Sequence, residues 1–145
     1  MTGPEESVMH QELFDQLCFY TMNHGDPRFL HQHAVDAFAV QEADDTTKSI
    51  TVVFGLAGLY LYIEKGFTGR QVQRAHMQMA KRRKTWPRVA LPLERGRITI
   101  ADVIQAERGE PLDLAIHDWC VAVWQACHSS HDEIAALLKA VLEIA

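Results

Sequence analysis

The sequence has few cysteines and no long apolar run, and both shortages exclude classes of protein. Its longest uncharged, mostly apolar stretch runs from Ile50 to Ile63, and a membrane-spanning helix needs about 20 such residues. The first residues, MTGPEESVMHQ, contain no basic region and no apolar core, so we expect no signal peptide. The three cysteines are odd in number and lack C-x-x-C spacing, which favours free thiols in a reducing compartment. We therefore expect a cytoplasmic location without a membrane partner.

Motifs of the common catalytic classes are missing as well. The sequence contains no G-x-S-x-G elbow, no P-loop and no G-x-G-x-x-G turn. Its 145 residues, 48% hydrophobic and 23% charged, have the composition of an ordinary globular domain. We predict one helical domain over residues 1–145, and the sequence leaves open whether it is an enzyme.

Start and stop signals for helices recur along the whole chain. Asp26 and Pro27 are typical of a helix start, Gly25 of a helix end, and Thr68-x-x-Gln71 and Ser130-x-x-Glu133 of capping boxes. The predicted helices cover about 6–24, 26–42, 47–65, 69–84, a short stretch after residue 99, 111–128, and 130 to the C-terminus. We predict an all-α, compact bundle of about seven helices.

The third predicted helix, about 47–65, is apolar nearly all round its circumference. Such a helix belongs in the centre of a bundle. Its β-branched residues also suit a buried strand, but the segment is about twice as long as most strands. Gly55 and Gly58 either admit a neighbouring helix at close range or are tolerated weak points.

Several motifs together resemble a known family. They are the runs DPxFxHQHxxDAFAxQ (residues 26–41), GLYL (58–61), FTGRQVQRxHM (67–77), WP (86–87), LP (91–92), RG (95–96) and WCxxVW (119–124). This pattern is similar to that of an uncharacterised family of small bacterial all-helical proteins of unknown function. The resemblance extends over nearly the whole chain. It implies a bacterial, cytoplasmic helical domain and names no activity.

The eight histidines suggest a polar centre inside the bundle. His33 and Asp36 are three residues apart and therefore share a helix face, which also carries apolar residues. On three other helices, His10, His76 and His117 each fall on an apolar stripe. If His33, Asp36 and at least one of these three histidines converge, the group suits a divalent metal such as Zn, Ni or Fe. The alternative is that each histidine has a separate structural partner.

Two other histidine positions are less suited to a shared ligand set. His31 lies about 200° round the helix from His33, so we expect it at the mouth of the site or behind the ligands. His128 and His131 bracket a predicted turn, where they either bind a metal or serve the helix ends.

Charge is divided unevenly along the chain. From Lys65 to Arg97 there are ten Lys and Arg against one acid, giving +9, and the rest has four against eighteen, giving −14. The basic helix, residues 70–84, offers a patch for an anionic partner. That patch comprises Arg70, Arg74, Lys81, Arg82 and Trp86. Its partner is either an acid-bearing face of the same chain, a second copy in a homo-oligomer, another protein, or, less favoured because the remainder is acidic, a nucleic acid.

Two functions from different classes follow. The first is a bundle whose internal site, centred on His33 and Asp36 with His31 nearby, binds a divalent metal or a small molecule and acts as a small metal-dependent enzyme. The second is an interaction or regulatory protein that uses the basic helix and performs no chemistry. Convergence of His33, Asp36 and other histidines on one pocket would favour the first.

Overall fold

The computed structural model describes residues 4–23 and 25–144. Its α-helices are α1 (Pro4–Asn23), α2 (Leu30–Glu42), α3 (Ser49–Lys65), α4 (Gly69–Arg82), α5 (Ile100–Val103), α6 (Glu110–Ala126) and α7 (His131–Leu142), with a 3₁₀ turn at His128–Ser130. No strand occurs within these ranges, so the all-α prediction is confirmed. None of the helices described is both long and apolar enough to cross a membrane.

Helix α3 is the centre of the bundle, as its uniform apolarity predicts. It packs against α2, α4, α6 and α7. Its middle, from Val52 to Leu61, is buried except for the half-buried Phe54. The helix begins at Ser49, slightly later than predicted.

Two capping boxes hold the starts of α4 and α5. The Thr68 hydroxyl accepts from the Gln71 amide at 3.2 Å while the Gln71 side chain accepts from the Thr68 amide at 2.8 Å. Thr99 and Asp102 form the equivalent pair at α5. The box at Thr68 could be predicted from the sequence, because its reciprocal hydrogen bonds lie within four residues.

The predicted start of the second helix at Asp26 and Pro27 is wrong. Helix α2 begins at Leu30, because Phe29 adopts a left-handed conformation with φ 56°. Asp26 still supports this start, since its carboxylate accepts from the amides of Arg28 (2.9 Å) and Leu30 (3.0 Å). The first predicted helix was drawn to residue 24, which lies outside the described residues.

The predicted capping box at Ser130 and Glu133 is also wrong. Ser130 precedes α7, but its side chain makes no capping hydrogen bond. Its hydroxyl instead donates to the carbonyl oxygen of Ala90 at 3.3 Å. A tertiary partner has replaced the local one.

The glycines of α3 admit helix α2 at close range, which decides the alternative left open by the sequence. A Cβ on Gly58 would lie 1.9 Å from Asp36 Oδ2, and one on Gly55 would lie 2.8 Å from Val40 Cγ2. Both distances are too short for a real contact. Gly58 therefore provides the space that the Asp36 carboxyl occupies.

Gln41 near the C-terminal end of α2 is satisfied by partners from distant segments. Its Nε2 donates to the carbonyl oxygens of Arg95 (3.2 Å) and Ile98 (2.7 Å). Its Oε1 accepts from the indole Nε1 of Trp119 at 2.9 Å. The amide thus joins α2 to α6 and to the segment before α5.

Arg95 closes the same end of α2. Its guanidinium donates to the last carbonyl oxygens of the helix region, those of Val40, Gln41 and Ala43. Its Nε donates to the Pro92 carbonyl oxygen at 2.7 Å. These carbonyls have no partner inside the helix, so the arginine supplies the donors that they lack.

Candidate functional site

Asp36 is a buried acid with one oxygen left without a partner. The residue is 3% exposed, and its Oδ1 accepts from the Gln32 amide at 3.1 Å. Its Oδ2, which faces Gly58, has no hydrogen-bond partner in the protein. Burial raises the pKa of Asp36 well above its ordinary value. Burial therefore favours the neutral form of this carboxyl group.

His33 lies one turn before Asp36 and is equally buried. It is 1% exposed, and its Nδ1 has no hydrogen-bond partner in the protein. The imidazole stacks on the Tyr62 ring, with centroids 3.5 Å apart and planes 8° from parallel. Burial lowers the pKa of His33 to about 4. The ring is therefore neutral near pH 7.

Tyr62 connects this buried pair to a second histidine. Its hydroxyl lies 2.6 Å from Nδ1 of His117, an exposed residue of α6. Burial raises the pKa of Tyr62 above its ordinary value, so the phenol remains protonated and its hydroxyl can either donate to Nδ1 or accept from it. When Nδ1 carries the imidazole proton and donates it to the hydroxyl oxygen, Nε2 has a free lone pair. The tyrosine thus holds Nδ1 and orients the imidazole.

Tyr62 and His117 both line a cavity of about 550 Å³ between the start of α2, the end of α3 and the first half of α6. The other lining residues are Arg28, Leu30, Gly109, Glu110, Asp113 and Leu114. The wall therefore combines one cation, two acids and two apolar side chains with the tyrosine and histidine. A few polar groups converging on a concave surface are typical of a small-molecule site.

Cys120 contacts the buried pair from α6. The residue is buried on α6, and its Sγ donates to the carbonyl oxygen of His33 at 3.5 Å. Burial, and then the nearby Asp36 carboxyl, raise the pKa of this thiol. A thiol that resists ionisation is a poor nucleophile, so Cys120 serves packing here.

The cluster places two polar side chains in front of a buried pair. Tyr62 and His117 face the cavity, His33 stacks on the Tyr62 ring, and Asp36 lies one turn further along α2, against Gly58. Histidine is the side chain that most often serves as a general acid or base, and a hydrogen bond to one ring nitrogen leaves the other for a ligand. The arrangement is therefore suited to binding a polar molecule and to acid–base chemistry on it.

The other predicted ligands have separate partners. His10 Nδ1 lies 3.0 Å from Glu42 Oε1, and His76 Nε2 lies 2.8 Å from the Phe54 carbonyl oxygen. Within the described ranges, no group of three or more His, Cys, Asp or Glu side chains could hold a metal ion. The five-residue metal set is therefore not brought together, and His117 alone among the three added histidines joins His33, through Tyr62.

His31 and the His128–His131 pair also lie outside this cluster's hydrogen bonds. His31 Nδ1 is 2.9 Å from the Thr21 hydroxyl, so it links α2 to α1. His131 Nε2 lies 2.7 Å from the Trp124 carbonyl oxygen, and its ring stacks on that indole at 3.8 Å. His128 is exposed.

The predicted basic patch is divided between bound and free side chains. Arg70 stacks over the Phe29 ring at 3.8 Å, and Arg82 donates to the Val141 carbonyl oxygen at 2.9 Å. Trp86 is half-buried with its indole nitrogen enclosed, so it does not extend the patch. Arg74 and Lys81 are exposed.

Sequence reasoning missed Tyr62, which links the two histidines. The residue lies four positions after Gly58 on α3, hence on the same helix face. That spacing, next to the glycine that admits Asp36, was the available signal. Tyr62 was not predicted as a site residue because it lies in a long apolar run, which indicated only burial.

A family model described as a family of unknown function, DUF5946, matches residues 10–128. The chain belongs to that family, which confirms the resemblance to an uncharacterised family. No curated protein and no solved structure matches the chain.

Proposed function

We propose that this member of a family of unknown function binds a small polar molecule in the cavity beside α6 and acts on it by acid–base chemistry. Tyr62 and His117 would contact the molecule directly. His33, stacked on the tyrosine ring, would position that ring, and together with Asp36, one turn further along α2, it would supply the buried surroundings that keep the phenol protonated.

One observation carries the proposal: His33 Nδ1 and Asp36 Oδ2 are buried without hydrogen-bond partners. An orphaned buried polar atom costs about 1–3 kcal/mol, so most such atoms in folded proteins are paired. Positions that break this rule are expected at functional sites, where stability is not the only requirement. His33 stacks on Tyr62 of the cavity wall, and Asp36 lies one turn further along the same helix face. The structure describes one other orphaned buried atom, Nε1 of Trp86.

His117 is the proton-transfer residue of this proposal and Tyr62 its orienting partner. The 2.6 Å hydrogen bond holds Nδ1. With the imidazole proton on Nδ1 and donated to the tyrosine oxygen, the free lone pair of Nε2 can accept a proton from a bound molecule and then return it. A histidine oriented by a second group is the usual form of a general acid or base. No metal is needed in this scheme.

A direct test is binding of small metabolites, measured by ligand-observed NMR with a panel of carboxylates, phosphates, amines and amides. We expect at least one compound to bind the wild type. Its Kd should weaken at least about tenfold in Tyr62→Phe and in His117→Gln, because each loses about 1.4 kcal/mol of hydrogen bonding.

The matched control is Lys139→Ala on the exposed side of α7, which should leave the Kd unchanged. The proposal is wrong if no compound binds the wild type, or if both cavity variants bind every compound as the wild type does. Circular dichroism of each variant separates lost binding from lost folding.

A reducing, cytoplasmic setting belongs to the same proposal. Cys18, Cys120 and Cys127 are all free thiols. Cys120 and Cys127 are buried, and burial raises the pKa of both. Disulfides are not part of how this domain is held together, which is usual for proteins of the cytoplasm.

A further inference from the structure

Helices α1 and α4 carry opposite charge without any mixing of sign. Helix α1 contains four acids, Glu5, Glu6, Glu12 and Asp15, and no Lys or Arg. Helix α4 contains four cations, Arg70, Arg74, Lys81 and Arg82, and no acid. Part of the uneven charge seen in the sequence therefore lies on two helices of the fold.

The outer face of α1 is apolar as well as acidic. Val8, Phe19 and Met22 are 61%, 69% and 66% exposed. Together with Glu12 and Asp15 they recur every three or four residues, which places all of them on one stripe. Large exposed side chains gathered on one helix face indicate an interaction site.

The two helices do not neutralise each other within the chain. Helix α1 packs on α2 and α5, and α4 packs on α2, α3 and α7. Among the residues that the structure describes, no cation of α4 forms an ion pair with a carboxylate. The charge of α4 is therefore available to a partner.

A shallow groove beside α4 provides the apolar counterpart. It has a volume of about 280 Å³, and its apolar lining comes from Phe67, Ala75, Leu142 and Ile144. Arg74 and Arg82 stand on its rim. An apolar side chain flanked by acids would fit such a groove in both polarity and charge.

We infer that the α1 stripe of one copy docks on α4 and its groove in a second copy of this chain. Phe19 enters the groove, while Glu12 and Asp15 meet Arg74 and Lys81. The contact joins two different surfaces, so it is heterologous and leaves the α4 face free on one copy and the α1 stripe free on the other. Successive copies then form a chain or a closed ring. This inference does not depend on the proposed small-molecule site.

A second copy fits better than a nucleic acid. A polyanion would satisfy the cations of α4 but would leave the apolar groove and the exposed Phe19 unused. The acids that dominate the rest of the chain would also repel it. The complementary stripe, by contrast, is present on every copy.

The test measures mass in solution by light scattering at low salt, about 0.05 M, where surface charges are weakly screened. The wild type should exceed its monomer mass of 16.4 kDa as concentration rises. The α1 reversal, Glu12→Lys with Asp15→Lys, should return to the monomer mass. So should the α4 reversal, Arg74→Glu with Lys81→Glu.

Mixing the two reversed proteins distinguishes this contact from other forms of association. Each variant alone repels itself, but each offers the other complementary faces, so the mixture should regain a mass above that of a monomer. A matched control, Asp132→Lys with Glu133→Lys, reverses exposed acids of α7 and should associate like the wild type.

Four outcomes would overturn the inference. The first is a wild type that stays monomeric at every concentration. The second is a mixture of the reversed proteins that stays monomeric although the wild type associates. The third is loss of association in the α1 reversal but not in the α4 reversal, which would indicate an α1–α1 dimer. Tight binding of a single-stranded oligonucleotide by the wild type, lost in the α4 reversal, would assign the patch to nucleic acid instead.

Discussion

The two halves of helix α2 differ in whether their buried polar groups are hydrogen-bonded. Near its C-terminal end, Gln41 makes three hydrogen bonds to distant segments, and Arg95 satisfies the last carbonyl oxygens. In its first half, His33 Nδ1 and Asp36 Oδ2 are buried with no partner. Gln41, His33 and Asp36 all belong to one sequence motif, residues 26–41, so membership of the motif does not itself reveal the role.

The difference separates stability from function within a single element. A fully paired polar network holds helices together and is expected wherever polar groups are buried. Orphaned atoms next to a cavity lower stability, so they need another reason to be there. We infer that the Gln41 end fixes the fold and that the His33 end serves the site. Three substitutions test this division.

The largest effect is expected at the paired end, from Arg95→Met. The change leaves carbonyl oxygens of α2 without donors, and we expect the free energy of unfolding to fall by about 3 kcal/mol. Urea denaturation followed by tryptophan fluorescence measures it. Arg97→Met, at an exposed position two residues on, is the matched control and should change stability by less than about 0.5 kcal/mol. A loss under about 1 kcal/mol in Arg95→Met would show that the network does not hold this end.

A smaller loss of unfolding free energy is expected from Gly58→Ala, at the place where α3 leaves room for the Asp36 carboxyl. Gly to Ala within a helix usually stabilises by up to about 1 kcal/mol. Gly58→Ala should instead destabilise by about 2 kcal/mol, because the new Cβ collides with Oδ2. In an Asp36→Ala background the collision is gone, so the same change should cost nothing. Equal costs in both backgrounds, measured by the same denaturation, would remove Asp36 as the cause.

Local signals were enough to predict most of the fold. Capping boxes and apolar periodicity act within one or two turns, so the bundle, its central helix and the start of α4 could be predicted. The start of α2 could not, because the left-handed Phe29 overrides the Asp26-Pro27 signal. At Ser130 a tertiary acceptor, the Ala90 carbonyl oxygen, replaced the expected local one.

The candidate site was predictable only in part, because periodicity on one helix does not identify partners on another. It correctly indicated that His33 and Asp36 are buried together. It also predicted that His10 and His76 face the interior. Their partners there are Glu42 for His10 and the Phe54 carbonyl oxygen for His76, each on another helix. Tyr62, the link to His117, required knowing which faces of α3 and α6 meet.

The most direct test of the division is the free energy of unfolding of His33→Phe, measured at pH 7.5 and at pH 5. Phenylalanine keeps the ring that stacks on Tyr62 and removes the orphaned nitrogen. The folded pKa of His33, about 4, lies below the ordinary value of about 6.5. The unfolded chain therefore binds the extra proton first, and the wild type loses stability as pH falls from 6.5 towards 4.

The account predicts that His33→Phe is at least as stable as the wild type at pH 7.5. At pH 5 the free energy of unfolding of the variant should exceed that of the wild type by about 2 kcal/mol more than at pH 7.5, because the variant has no imidazole at position 33 to titrate. A loss of about 2 kcal/mol or more at pH 7.5, with no gain at pH 5, would contradict the account. His33 would then be a structural residue like Gln41.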